Sequence, residues 1–305
     1  MPPLTNSTAT SADLHTRRGI AYGTSAYIIW GAFPAYWPLL VPATPTEILA
    51  HRVAWSLGLM LIVISLLGRW RAIIGLSRGS WLAIGAASVL ISINWGVYIY
   101  AVNSQHVVES ALGYFITPLI SVLLGVVVLR ERLGKAQLVA IAVAAVAVVV
   151  LTVDYGRLPW ISLVLAGAFG FYALIKKMVP LDATSSLAAE SMVIGPIAIG
   201  YLLIQGTTFT THGTGHALLL AGTGVITVVP LWLFGAGARR VPLATMGMLQ
   251  YLAPILQFAW GVFVVHEPMP ASRWIGFGLV WVALAIFTVD AIRRNRRRQL
   301  LAPVE

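Results

Sequence analysis

Few residues of this chain can do chemistry, and most of those that can are embedded in apolar runs. The stretch "EILAHRVAWS" (47–56) sets Glu47 and His51 four residues apart, with Arg52 beside His51. At helical spacing Glu47 and His51 share a face. His51 is the side chain here whose charge changes near neutral pH, which makes it a candidate proton relay. An arginine in hydrocarbon costs about 2.5–3.5 kcal/mol on insertion scales, so Arg52 must face protein, water or headgroups. Pairing with Glu47 or another carboxylate, binding an anionic part of a solute, and snorkelling outward all meet that demand. Asn94 and Tyr98 lie one turn apart. An amide and a phenol facing one cavity would orient a polar or aromatic solute, and interhelical hydrogen bonding explains them nearly as well. Glu109 and Glu190 open two further apolar runs, where a carboxylate satisfies free helix amides. Gln250, Tyr251 and Gln257 decorate a later run, the two glutamines seven residues apart and so on one stripe.

Other chemistries find no support. The chain has no cysteine, so disulfides, thiolate ligands and cysteine nucleophiles are excluded. His15, His106, His212, His216 and His266 lack the spacing of a metal centre, and no GxxxxGK[ST] phosphate loop suggests ATP-driven pumping. Neither metal nor cofactor is expected. The net charge of +10 is concentrated in "RRNRRR" (293–298) and short loops, a distribution suited to an anionic membrane face rather than a nucleic-acid groove. Residues 1–18 are polar, contain Asp13 and do not resemble a signal peptide.

These residues need elements to hold them. Of 305 residues, 59% are apolar and 10% charged, and the mean hydropathy is +0.87. Soluble domains carry about 25% charged residues. Apolar runs long enough to span a bilayer alternate with short polar breaks, which predicts an all-α polytopic membrane protein. The predicted spans are 19–38, 45–67, 80–101, 109–129, 136–153, 159–175, 187–205, 216–238, 242–265 and 273–291. Alternate loops hold Arg17 and Arg18; Arg69, Arg71 and Arg78; Arg130, Arg132 and Lys135; Lys176 and Lys177; Arg239 and Arg240; and the basic tail. The intervening loops hold only Arg157 and Arg273. Short basic loops stay cytoplasmic, so both termini are expected on the cytoplasmic side. Several tryptophans, including Trp30, Trp37, Trp70, Trp81, Trp160 and Trp274, suit an interfacial belt.

The chain also repeats itself. "YFITPLISVLLGVVVLRE" (114–131) and "YLAPILQFAWGVFVVHE" (251–267) align Pro118 with Pro254, Gly125 with Gly261 and Glu131 with Glu267, at one offset of 136 residues. Five spans per half make the second half inverted, an arrangement of secondary transporters. Pro34, Pro118 and Pro254 are candidate kinks, because proline frees a backbone carbonyl. The expected organisation is a tail (1–18), a five-helix repeat (19–155), a second repeat (156–292) and a basic tail (293–305).

"AYIIWGAFPAYW" (26–37), "EILAHRVAWS", "INW" (93–95), "AVN" (101–103), "ESALGYFITPL" (109–119), "RERL" (130–133), "ITVVP" (226–230) and "QYLAPILQF" (250–258) together resemble the RarD branch of the EamA, or drug/metabolite transporter, superfamily. The resemblance covers about residues 17–292. It implies a ten-helix permease of two inverted five-helix repeats, with members described as chloramphenicol-resistance permeases. Its signature residues fall on Trp30, Pro34, Glu47, His51, Arg52, Asn94, Asn103, Glu109, Tyr114, Pro118, Gln250, Tyr251 and Pro254. Thr117 departs from the pattern, which commonly has Asn before this proline. The resemblance implies a cavity lined by the first, third, fourth, sixth, eighth and ninth helices. The solute-site candidates are Asn94, Tyr98, Tyr114, Phe115, Thr117, Gln250, Tyr251 and Gln257; the second helix is more peripheral, which counts against Arg52 as a direct ligand. Glu47, His51, Arg52, Glu109 and Glu190 are the intramembrane charge or coupling candidates. The expected function is alternating-access transport of a small organic solute, drug or metabolite, with export implied by the resistance label and protons as a coupling ion. A membrane-embedded enzyme or lipid flippase is the alternative, but the short uncharged outer loops offer an enzyme little. The bilayer and the solute are the expected partners; small-residue faces serve contacts within a bundle or in a homodimer, so oligomeric state stays open.

Overall fold

The computed structural model describes residues 7–129, 134–176, 178–241 and 243–301, and among these the chain is helical without strands. The helices are α1 (Ser7–Gly31), α2 (Phe33–Tyr36), α3 (Pro45–Leu67), α4 (Trp70–Ile74), α5 (Arg78–Asn103), α6 (Val107–Leu129), α7 (Lys135–Tyr155), α8 (Trp160–Lys176), α9 (Ala183–Gln205), α10 (Gly213–Ala238), α11 (Leu243–Leu249), α12 (Leu252–Phe263) and α13 (Ala271–Leu301). A 3₁₀ turn, Trp37–Leu40, follows α2.

Local chemistry sets the boundaries. Thr44 caps α3 by accepting from the Glu47 amide at 3.2 Å, Pro45 occupies the first turn, and Gly68 ends the helix at φ 63°. This is the favoured order of hydroxyl cap, N-terminal proline and left-handed glycine. Ser77 caps α5. Asp182 caps α9 by accepting from the amides of Thr184 and Ser185.

Several expectations need correction. Helix α1 begins at Ser7, within the expected polar tail, and stops at Gly31; Pro34 then lies in the separate α2 instead of kinking a continuous span. The Asp182 cap starts α9 earlier than predicted, so Glu190 is its eighth residue, well inside it. The predicted span 242–265 is two helices, broken by a turn at Gln250 and Tyr251. The two prolines differ: Pro118 lies within unbroken α6, whereas Pro254 sits in the first turn of α12, just after that break. Helix α13 continues into the basic tail, because arginine is a good helix former. Arg130, Glu131, Arg132 and Lys177 lie outside the described residues.

Among the described residues, six helical segments are long and apolar enough to cross a membrane: Pro45–Leu67, Arg78–Asn103, Lys135–Tyr155, Ala183–Gln205, Gly213–Ala238 and Ala271–Asp290. Val107–Ser121, Trp160–Lys176 and Leu252–Phe263 are shorter apolar helices. The surface is apolar: Leu66, Leu82, Val153, Leu203 and Ile204 are each more than 75% exposed. Charged groups are instead turned inward, as with Glu47, Arg52, Glu109 and Glu190, the distribution expected when hydrocarbon is the solvent.

Helix α3 packs on α9 and α10, α5 on α8 and α9, α6 on α8 and α12, α1 on α10 and α12, and α7 on α13. Glycine allows some of these approaches. A Cβ on Gly224 would lie 2.7 Å from the Trp55 carbonyl carbon, and one on Gly261 would lie 2.7 Å from Val108 Cγ2.

Candidate functional site

Arg52 organises the centre of the bundle. It is 3% exposed, and its Nε donates to Thr227 Oγ1 on α10 at 2.8 Å. Its guanidinium carbon lies 3.9 Å from the Trp95 ring centroid, 5.3 Å from Trp37 and 5.5 Å from Phe33. Cation–π attraction of this kind strengthens when the cation is desolvated. Tyr98 and Tyr114 lie within electrostatic reach. Among the described residues Arg52 has no carboxylate partner. Snorkelling is thus excluded, and so is the pairing with Glu47, which faces elsewhere.

One edge of this box is a hydrogen-bonded set from three helices. Asn94 on α5 donates to the Leu165 carbonyl on α8 at 3.0 Å and accepts from the Tyr114 hydroxyl of α6 at 3.1 Å. Tyr98 packs edge-on against Tyr114, their centroids 5.6 Å apart. The Tyr98 hydroxyl and the Trp37 indole N–H are buried with no hydrogen-bond partner among the described residues. Orphan buried polar atoms are uncommon and call for a cause. Trp37 is fully buried, not part of an interfacial belt. Trp95 also lines a small cavity of about 10 Å³ together with Ser56, Ser88, Ser92, Ser191 and Glu190.

The remaining solute-site candidates are distributed elsewhere. Phe115 belongs to the apolar cluster of α6, α7, α12 and α13 and packs near Trp281. Thr117 donates back to the Gly113 carbonyl at 3.0 Å, so its hydroxyl is satisfied within α6. Gln257 donates to the Trp30 carbonyl at 3.1 Å, while its Oε1 has no partner among the described residues. Gln250 and Tyr251 occupy the turn before α12, which ends the expected glutamine stripe.

The charge candidates form separate latches. Glu47 accepts from Thr207 and Thr208 in the α9–α10 loop, and His51 is hydrogen-bonded to Thr207 at 2.8 Å and stacked on Phe209. Glu109, 1% exposed, is held by Arg157 at 2.8 Å and accepts from the Ile161 amide. Glu190 takes Lys176 as its counter-ion and also accepts from Tyr172 and Ser186.

Two contacts escaped the sequence. Glu267 reaches across the chain to cap α6, accepting from the amides of Val107 and Val108. Burial pushes its carboxyl up to about 7, against the lowering effect of those amides and Arg273. Asp154 joins α7 to α13 through Ser272 and Arg273, the latter at 2.8 Å. Neither pairing has a local spacing that would reveal it.

Residues 17–153 match the EamA-like transporter family. Protein RarD of Streptomyces exfoliatus is 52% identical across 94% of this chain and 93% of its own. The Bacillus subtilis (strain 168) protein named uncharacterized transporter YojE is 43% identical, covering 92% and 97%. Protein RarD of Escherichia coli (strain K12) is 38% identical over 92% and 97%. A solved crystal structure superposes with a TM-score of 0.59 at 16% identity, covering 90% of this chain and 98% of that one, which shows a shared fold. With relatives this similar along nearly its whole length, the chain belongs to the RarD branch of the EamA-like transporter family and is a multi-pass membrane transporter.

Proposed function

We propose that the protein is a secondary transporter of ten spans, built from two inverted five-helix repeats (19–155 and 156–292) with both termini cytoplasmic. It moves a small organic solute outward by alternating access through the core around Arg52, Asn94, Tyr98 and Tyr114. One observation carries this reading: helix starts and helix contacts repeat together. Starts at 45, 78, 107 and 135 recur at 183, 213, 243 and 271, close to the offset of 136 residues. Matching α1 with α8, α3 with α9, α5 with α10, α6 with α11–α12 and α7 with α13 also maps contacts onto contacts. The α6–α8 pair corresponds to α12–α1, α5–α8 to α10–α1 and α5–α9 to α10–α3, while α3–α9, α6–α12 and α7–α13 map onto themselves. Such an arrangement has two related conformations that expose one central site alternately to each face.

Glu47 and His51 are the coupling candidates, because they tie α3 to the α9–α10 loop of the other repeat. Proteoliposomes under imposed pH and voltage gradients test this function across a panel of drugs and metabolites. Gradient-driven flux of at least one solute is expected. Absence of flux across the panel, or labelling of Ser77→Cys and Gly156→Cys from the same face, contradicts it.

A further inference from the structure

We propose that the Arg52 box is the recognition site for a single negative charge, so that the transported solute is an aromatic or flat apolar monocarboxylate. This rests on the transporter reading and names its substrate class. Among the described residues the Arg52 guanidinium has one hydrogen-bond acceptor, the Thr227 hydroxyl, although arginine carries five N–H donors. Beside it, among the described residues, the Trp37 indole N–H has no acceptor and the Tyr98 hydroxyl has no partner. Trp37 and Tyr98 belong to one packed cluster with Phe33, and Trp37 touches the guanidinium face. Three elements, α3, α5 and the 3₁₀ turn after α2, therefore bring together unsatisfied donors and one uncompensated cation. An isolated buried charge is costly, and what satisfies both deficits at once is an anionic acceptor. A carboxylate fits, with two oxygens and about four lone-pair sites for a planar donor fork.

The repeat sharpens the argument. Arg52 is the eighth residue of α3, and Glu190 is the eighth residue of α9. These positions agree when counted from the helix starts and differ by two residues at the 136-residue offset; they carry opposite charges, yet Glu190 has Lys176 as counter-ion within the chain while Arg52 has none among the described residues. The charge that lacks a partner is the one enclosed by rings.

The same surroundings define the rest of the solute. Phe33, Trp37, Trp95, Tyr98 and Tyr114 supply flat apolar walls, which suits a ring or planar body attached to the carboxylate. A single buried cation neutralises one anion, so a dianion would leave net charge in the core. Phe33, Trp37, Asn94 and Tyr98 are each under 5% exposed, whereas Trp95 and Tyr114 are partly exposed, so a solute would reach Arg52 past those two rings.

The test uses the full-length protein in proteoliposomes with a panel of aromatic and apolar monocarboxylates, benzoate and indole-3-acetate among them. Each acid is matched to its neutral amide, with phthalate as a dianion. Saturable flux or thermal protection is expected for at least one monocarboxylate and not for its amide or phthalate. Arg52→Gln should weaken that response about 100-fold and Tyr98→Phe about tenfold, with Arg52→Lys giving partial rescue. If Arg52→Gln does not fold, Tyr98→Phe and Trp37→Phe carry the comparison. Equal responses to acid and amide, or no response to any acid while neutral solutes are transported, overturns the anion site and leaves the transporter reading standing. If no solute of either kind is transported or bound, both fall.

Discussion

Replacing Gly224 by alanine tests whether the approach of α10 to α3 is what holds the Arg52 box together. The added methyl would sit 2.7 Å from the Trp55 carbonyl carbon and Cβ and 2.9 Å from the Trp55 oxygen. These are mostly backbone atoms, which cannot rotate away. Relief to ordinary contact requires the helices to separate by roughly 0.7 Å, and overpacking of this kind costs about 1–3 kcal/mol. The same separation lengthens the Arg52–Thr227 bond from 2.8 Å to about 3.5 Å, outside normal hydrogen-bond range, and a bond to a charged donor contributes about 1.5–3 kcal/mol. One movement causes both losses, so they do not simply add, and the expected total is about 2–4 kcal/mol. Thermal unfolding in nanodiscs, followed by tryptophan fluorescence, reads the difference. Gly58→Ala on α3 is the control, because a Cβ there meets nothing within 4 Å. The expected result is a melting temperature lowered by several degrees for Gly224→Ala and an unchanged or slightly raised one for Gly58→Ala. Equal stability of the two variants would refute it.

Three further outcomes follow from the latches. Glu267 has a folded-state pKa raised from 4.5 to about 7, so its contribution to stability is fully present below pH 4.5 and is lost as pH rises through 7. Wild type should therefore lose thermal stability between pH 5 and 8 relative to Glu267→Gln; parallel pH profiles would sink this assignment. Arg157→Ala leaves the buried Glu109 carboxylate without its cation and should destabilise by about 1–3 kcal/mol, discounted because Arg157 is half-exposed; Glu109→Gln in the same chain should recover part of the loss, and no recovery would mean the pair is not coupled. Glu47→Ala removes the acceptor for Thr207 and Thr208, so a Phe209→Cys probe should react faster in that variant, and an unaltered rate would show that Glu47 does not anchor the loop.

Helix existence was legible because hydropathy and loop charge act locally along the chain, and the six long apolar helices among the described residues lie close to where apolar runs predict them. Boundaries were harder. Asp182 is an ordinary N-cap residue, but the apolar count alone placed the start of α9 several residues later. The break at Gln250 and Tyr251 carries no glycine or proline at the turn itself, so nothing local announced it. Asn94, Tyr98 and Tyr114 stood out as polar groups in apolar runs, and the structure brings these three together. Arg52 was conspicuous for the same reason, yet its direction was not: a helix residue faces lipid, headgroup or core according to neighbours distant in sequence. Its aromatic walls come from α2, the 3₁₀ turn and α5. Glu267 and Asp154 act across more than 100 residues, which no periodicity records.

In the proposed transport cycle the two repeats exchange conformations around the core at Arg52. Because the chain has no native cysteine, this exchange can be tested without background. Ile48 and Ser56 lie four residues to either side of Arg52 on α3 and are both almost fully buried. The decisive measurement is the labelling rate of Ile48→Cys and of Ser56→Cys by a membrane-impermeant thiol reagent, applied from each face with and without an imposed gradient and transported solute. Alternating access predicts reciprocal changes, one position gaining accessibility from its face as the other loses it. Rates that rise together, or that stay constant while solute crosses, would contradict the account.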